Sequence, residues 1–280
     1  MSLIDFILNL ACVLLWLNAR SIRFDPLVKT SAASLAGTLR RAQPDRLRGW
    51  HFLVILAAVL FCRAVLYAQI GPAVDWTPNL RLGAIAIPFR SDIFGRMLLF
   101  SVLSFAVTLA VFYLWCLLLS LVNGRAADTD SLQRLVEFHL GRFGRWPWPI
   151  RLMFPLFLAV LLWLGLGLLL TSWSLIPPAA STVHRLEQGL VLGLGAYLTW
   201  KFVIAGFLVL FVLSSYVYFG NQPFWNFIGL TGRNIVRPLG RIPLRVGKVD
   251  FSPVLVIALV FLASEFAERG LSLLYRRLPI

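Results

Sequence analysis

Long apolar stretches alternate with shorter basic ones along the whole chain. A helix needs about 20 mostly apolar residues to cross the hydrocarbon core of a bilayer. Six segments reach or approach that length: Leu3–Leu17, Phe52–Ile70, Met97–Val122, Leu152–Ile176, Leu190–Phe219 and Val254–Leu274. The first is short and carries Asp5 and Asn9. A signal peptide is its rival reading, set aside because no basic stretch precedes it and no small-residue cleavage site follows. The fifth is too long for one untilted helix, and Lys201 interrupts it. It reads as a short interfacial piece from about Leu190, then a span from about Phe202. The pattern therefore predicts an all-α polytopic membrane protein with about six transmembrane helices.

The polar connections orient these helices. Three of them, Asn18–Trp50, Asn123–Arg151 and Asn221–Pro253, hold seventeen of the 26 Lys and Arg residues. The alternate side holds seven, and Arg63 and Lys201 lie within spans. Basic residues collect in cytoplasmic loops, so the three large loops are expected inside and both termini outside the cytoplasm. The loops also resemble one another. Each starts with an Asn after an apolar run, and the second and third share Leu-Gly-Arg, at residues 140–142 and 239–241. Pro155 and Pro253 each fall 32 residues after the loop's Asn, where each is expected to open the next helix. Repeated helix–basic loop–helix hairpins follow: an N-terminal membrane hairpin and outer loop over 1–96, a second hairpin over 97–189 and a third over 190–280.

Within the loops, Leu132, Leu135, Val136, Leu140 and Phe143 share one helical face, and Phe224, Phe227, Ile228, Ile235 and Leu239 share another. Leu27, Val28, Leu35 and Leu39 form a similar stripe in the first loop. An apolar stripe flanked by basic residues suits a helix in the headgroup plane; packing on its own bundle is the alternative.

Composition supports the membrane reading. Apolar residues make up 59% and charged residues 14% of the 280, and mean hydropathy is +0.83. Soluble domains are nearer half apolar and about a quarter charged. In a soluble chain, a net charge of +14 would point to nucleic acid. Here the basic residues flank apolar runs, so anionic lipid headgroups are the expected partner and nucleic acid is not. Cys12, Cys62 and Cys116 sit inside apolar runs, and His51, His139 and His184 are far apart. No CxxC motif and no metal-ligand cluster is seen, so no cofactor and no metal is expected. No HExxH, GxSxG or paired acidic motif is present, and the Asp128/Asp130 pair reads as a solvated turn. The expectation is a protein that is not an enzyme.

The third hairpin carries a recognisable pattern: Asn221-Gln222-Pro223, then Arg237-Pro238-Leu239, then Gly247-Lys248-Val249-Asp250-Phe251-Ser252-Pro253. It resembles the YggT family of small bacterial membrane proteins, most strongly over 202–274, with a degenerate second copy over 98–170. Lys248 departs from the family's second Gly. Gly240 stands where an Arg often follows, with Arg241 next to it. Asn221, Pro223, Arg237, Pro238, Arg241, Gly247, Asp250, Ser252 and Pro253 are the positions this resemblance marks for docking. Read without the family, Asp250 and Ser252 precede Pro253 as helix-capping residues. Arg237 and Arg241 are placed to meet Asp250 or lipid phosphate.

The resemblance implies an assembly or organising factor in the cytoplasmic membrane, of the kind linked to cytochrome-complex assembly and cell-envelope organisation, with other membrane proteins as partners. A transporter or channel in osmotic or ion homeostasis is the alternative. That alternative would use charges inside the membrane, here Arg63, Lys201 and Glu265. Arg63 and Glu265 lie at similar depth in the first and third hairpins, so either an ion pair between them or separate snorkelling of each to the outer headgroups is expected.

Overall fold

The computed structural model describes residues 3–21, 49–74, 76–82, 85–124, 131–179, 181–217, 220, 222–239, 245–246 and 249–277. The first loop's Leu27–Leu39 stripe, Asn221, Arg241 and Gly247 lie outside them. The chain forms two compact units, one from residues 1–81 with 87–109 and one from 82–86 with 110–280.

The first unit contains α1 (Leu3–Ser21), α2 (Gly49–Ile70) and the first half of α3 (Phe94–Val122); β1 (Asn79–Leu82) and β2 (Ile85–Pro88) pair in a short two-stranded sheet between α2 and α3 in the sequence. α1 has its polarity inverted relative to a helix of a soluble protein. Asp5, Asn9 and Cys12 are buried, whereas Leu3, Phe6, Ile7, Leu10 and Leu14 are exposed. The buried set recurs at i, i+4 and i+7, one face of a 3.6-residue helix. α2 buries Leu56, Leu60, Arg63 and Ala64, and α3 buries Met97, Phe100, Ser101, Ser104 and Phe105. An outside richer in large apolar side chains than the inside suits a hydrocarbon solvent.

The second unit continues α3 and adds α4 (Ser131–Leu140), α5 (Trp148–Ser172), α6 (Thr182–Tyr197), α7 (Trp200–Tyr216), α8 (Pro223–Val236), a strand pair β3 (Arg245–Val246) and β4 (Val249–Asp250), and α9 (Ser252–Arg277). Gly141, at φ +57°, follows the last residue of α4. That left-handed position is where a helix C-terminus favours glycine. Ser181 caps α6 by accepting the His184 N–H at 3.1 Å. α7 packs on α8 and on α9, and α4 touches α8. The two amphipathic loop helices each bury one face, Gln133, Val136 and His139 on α4 and Phe227, Ile228, Thr231 and Gly232 on α8.

Among the described residues, five helical stretches are long and apolar enough to cross a membrane: Leu3–Arg20, Gly49–Ile70, Phe94–Val122, Trp148–Ser172 and Thr182–Tyr216. These are the helices of a multi-pass membrane protein. The sixth apolar segment does form a helix, α9, of 26 residues, but Glu265, Glu268 and Arg269 interrupt its apolar run. The fifth is built as two helices. α6 begins at Thr182, earlier than the apolar run, and packs along α5. Leu198 and Thr199 then bridge α6 to α7 with short-range backbone bonds from Lys201 N–H to Leu198 O and from Phe202 N–H to Thr199 O.

Pro155 does not open α5. It lies inside the helix, which starts at Trp148 with Pro149 in its first turn. The start is displaced because Pro147 and Pro149 already stand where an absent N–H costs nothing. Pro155 instead withholds an N–H from the Arg151 carbonyl within the helix. Pro253 is the second residue of α9, a position a proline tolerates.

Candidate functional site

The most concentrated polar chemistry inside the apolar helices is a buried cluster in the first unit. Arg63 is 2% exposed, Asp5 4%, Ser104 1% and Asn9 fully buried. Arg63 Nη2 donates to Asp5 Oδ1 at 2.6 Å and Nη1 to Asn9 Oδ1 at 2.8 Å. Nη2 also reaches Ser104 Oγ at 3.3 Å, and Asn9 Nδ2 donates to the same hydroxyl at 2.9 Å. The Tyr67 hydroxyl donates to Asp5 Oδ1 at 2.7 Å. The guanidinium also lies 5.4 Å from the Tyr67 ring centre and 5.2 Å from that of Phe100, a geometry that adds cation–π attraction.

Each member has its place by helical spacing. Asp5 and Asn9 are one turn apart on α1, Arg63 and Tyr67 one turn apart on α2, and Ser104 one turn on from the aromatic Phe100 on α3. The cluster thus crosslinks three helices. It pairs one guanidinium with one carboxylate and gives Arg63 three hydrogen bonds to protein atoms, leaving Nε–H buried with no partner. A guanidinium does not lose its proton in proteins, so Arg63 is suited to hold Asp5 and Asn9 in place and not to relay protons.

The expected partnership of Arg63 with Glu265 is therefore corrected: Arg63 pairs with Asp5, and Glu265 pairs with Arg269 of its own helix at 3.0 Å. Asp5 sits in the same hairpin, one packed helix away, whereas the Glu265 side chain is 56% exposed and its neighbour at i+4 is a base. Lys201 pairs with Glu268 of α9 at 3.3 Å, with the Glu268 side chain 55% exposed. Such open pairs contribute about 0–1 kcal/mol.

In the second unit a smaller amide–hydroxyl node ties α3 to α8. Asn123 Nδ2 donates to Thr231 Oγ1 at 2.8 Å, and Asn234 Nδ2 donates to Asn123 Oδ1 at 3.0 Å. Arg151 Nη1 donates to Ser120 Oγ at 3.0 Å and to Gly144 O at 3.1 Å.

Of the positions marked for docking, Asp250 Oδ1 accepts the Ser252 N–H at 2.9 Å at the start of α9. Ser252 and Pro253 are buried, Pro223, Arg237 and Pro238 exposed. β3 and β4 pair Arg245 with Asp250 and Val246 with Val249, which sets the capping carboxylate beside the helix it caps. Among the described residues, no group of three or more His, Cys, Asp or Glu side chains could hold a metal ion.

The α6 sequence Gly189-Leu190-Val191-Leu192-Gly193 carries a helix-packing device that hydropathy does not show. A Cβ on Gly189 would lie 3.1 Å from Val160 Cα, and one on Gly193 2.7 Å from Leu156 Cδ1. Two glycines four apart let α6 lie against α5 backbone to backbone, as small-residue pairs do between membrane helices. No family model matches the chain, and neither a curated protein nor a solved structure matches it.

Proposed function

We propose that the chain is a non-enzymatic assembly or organising factor of the cytoplasmic membrane, of the YggT type, that binds other membrane proteins. The observation that carries this reading is the closure of the Arg63 cluster. A transport path needs a buried charge that faces a substrate, and here Asp5, Asn9, Ser104 and Tyr67 enclose it. The resemblance of the third hairpin supplies the kind of role, and the exposed Arg237 and Pro238 belong to its docking surface. Affinity purification from native membranes in mild detergent, followed by mass spectrometry, is expected to return a reproducible complex with other membrane proteins. A chain that purifies alone and collapses an ion or osmolyte gradient across liposomes would overturn the reading in favour of a transporter.

The proposed topology has six spans, α9 being the last, with both termini outside and the basic loops facing anionic headgroups in the cytoplasm. A reporter active only outside the cytoplasm is expected to work when fused near Asp75, Thr182 or Ile280, and to fail near Ala36, Thr129 or Arg241. A silent reporter at Ile280 beside active ones at Asp75 and Thr182 would remove α9 from the spans. The reverse pattern throughout would invert the orientation.

A further inference from the structure

α9 packs on one side only. Ser252, Pro253 and Val256 are buried, and the helix meets α6, α7 and α8. The other side carries Leu259, Leu262, Phe266 and Leu273, which are 45%, 55%, 66% and 61% exposed. They fall at i, i+3, i+7 and i+14, the a and d positions of a heptad, and so line up as one seam. Arg269 occupies the remaining d position, at i+10, with its side chain 70% exposed. Glu265, one turn earlier, flanks the seam and accepts the Arg269 Nε–H at 3.0 Å. That bond uses one of the guanidinium's several N–H donors.

This face suits neither solvent. In water, a row of large apolar side chains would stand exposed beside a packed core, the mark of an interaction surface. In lipid, a carboxylate and a guanidinium would stand exposed to acyl chains, whereas charged groups at membrane depth face a partner or a cavity. A headgroup boundary at the charged pair does not resolve the conflict. Apolar side chains continue on both sides of it, back to Leu259 and on to Leu273 and Leu274.

A protein surface that is apolar along its length and carries one charge of each sign in the middle meets both demands. The face of α9 is such a surface. Opposite charges one turn apart make it complementary to itself, which is the condition a two-fold interface imposes. The neighbouring Glu268 is engaged elsewhere, accepting from Lys201 Nζ of α7 at 3.3 Å, so the seam between Leu259 and Leu273 presents one carboxylate and one guanidinium.

We propose that α9 is a homodimer interface, in which two copies of this chain pack seam to seam and Arg269 of each meets Glu265 of the other. Copies inserted in the same sense are related by an axis along the membrane normal, so the two helices run parallel. The parallel arrangement rests on α9 being the last span, which the Ile280 reporter tests by itself. The pairing of copies does not rest on an assembly role.

The test uses the full chain in its native membrane, with Cys62→Ser removing the exposed native thiol. Leu262→Cys, on the seam, is expected to form a disulfide with a second copy under copper phenanthroline. Leu271→Cys, about five turns on from the buried Pro253 and so on the packed side, is expected not to. Glu265→Arg and Arg269→Glu, each added to Leu262→Cys, give the seam two like charges and should lower crosslinking at least about tenfold, because like charges facing each other across an interface are strongly disfavoured. Co-expressed with different tags, these two variants should crosslink to one another and not to themselves. A charge pair confined to a single helix does not produce that pattern. A Leu262→Cys chain that yields no dimer, or crosslinks only to other proteins, overturns the proposal, and so does equal crosslinking at Leu262 and Leu271. Charge variants that self-crosslink as well as the unmodified chain overturn it too, as does a co-expressed pair that fails to recover while both variants accumulate in the membrane. If a charge variant does not accumulate, the contrast between Leu262 and Leu271 decides.

Discussion

Replacing Arg63 with Leu is expected to destabilise the detergent-purified protein by about 3–5 kcal/mol, read from unfolding followed by circular dichroism. That is the usual cost of removing one partner of a buried ion pair, because the other charge is left uncompensated. Here the stranded charge is Asp5, with a side chain 6% exposed, and the Asn9 and Ser104 oxygens lose a donor with it. Asp5→Leu should be costly for the mirror reason, leaving a guanidinium among α1, α2 and α3. The double variant, Asp5→Leu with Arg63→Leu, removes both charges and should recover much of either loss, since well-packed apolar residues often replace a buried pair without penalty. Single losses below about 1 kcal/mol, or a double variant whose loss is the simple sum of the two, would show that the cluster does not couple α1 to α2.

The second large effect is expected at Gly189. A side chain there meets the Val160 Cα at 3.1 Å as well as Trp163 Cβ at 3.4 Å. A backbone atom cannot rotate away, so relief requires α5 and α6 to separate. Gly189→Leu should cost about 1–3 kcal/mol or more, the range for overpacking a tight contact, and Gly189→Ala less. Gly165 of α5 provides the contrast, because an added Cβ there meets nothing within 4 Å among the described residues. Gly165→Ala should be neutral or stabilising, as alanine is the better helix former. If Gly189→Leu melts with the unmodified chain, the close approach of the two helices is not what holds them.

Hydropathy was a good guide wherever the solvent decides the structure. The apolar runs become helices, and the two loop stripes fall in α4 and α8, but α4 packs Gln133, Val136 and His139 and leaves Leu135 exposed, and on α8 Phe227 and Ile228 pack while Phe224 is exposed. Features set by a specific partner were harder to read. Asp5 and Asn9 stood out only as faults in a short apolar run, because hydropathy scores each helix alone. Their spacing with Cys12 at i, i+4 and i+7, beside an opposite charge in the other helix of the same hairpin, was the signal available. Depth alone made Glu265 look like the partner of Arg63, whereas the neighbouring Arg269 satisfies it along its own helix. Pro155 misled because a proline after a loop resembles a helix start, and Pro147 and Pro149 compete for that role. Gly189 and Gly193 are invisible to a scale that counts glycine as mildly apolar, yet their spacing is a packing motif.

The Arg63 cluster also constrains the order of events on the ribosome. Asp5 is synthesised before Arg63 and Tyr67, so α1 leaves the ribosome ahead of the partners of its carboxylate. An acidic side chain deep in a lone apolar helix is penalised on insertion by roughly 2.5–3.5 kcal/mol at the helix centre and less toward its ends. Asp5 is in the first turn of α1, at the mild end of that range; its charge is matched when α2 brings the guanidinium, and the Asn9 amide meets Ser104 when α3 follows. The polar core of the first unit is therefore complete only when all three helices are in place.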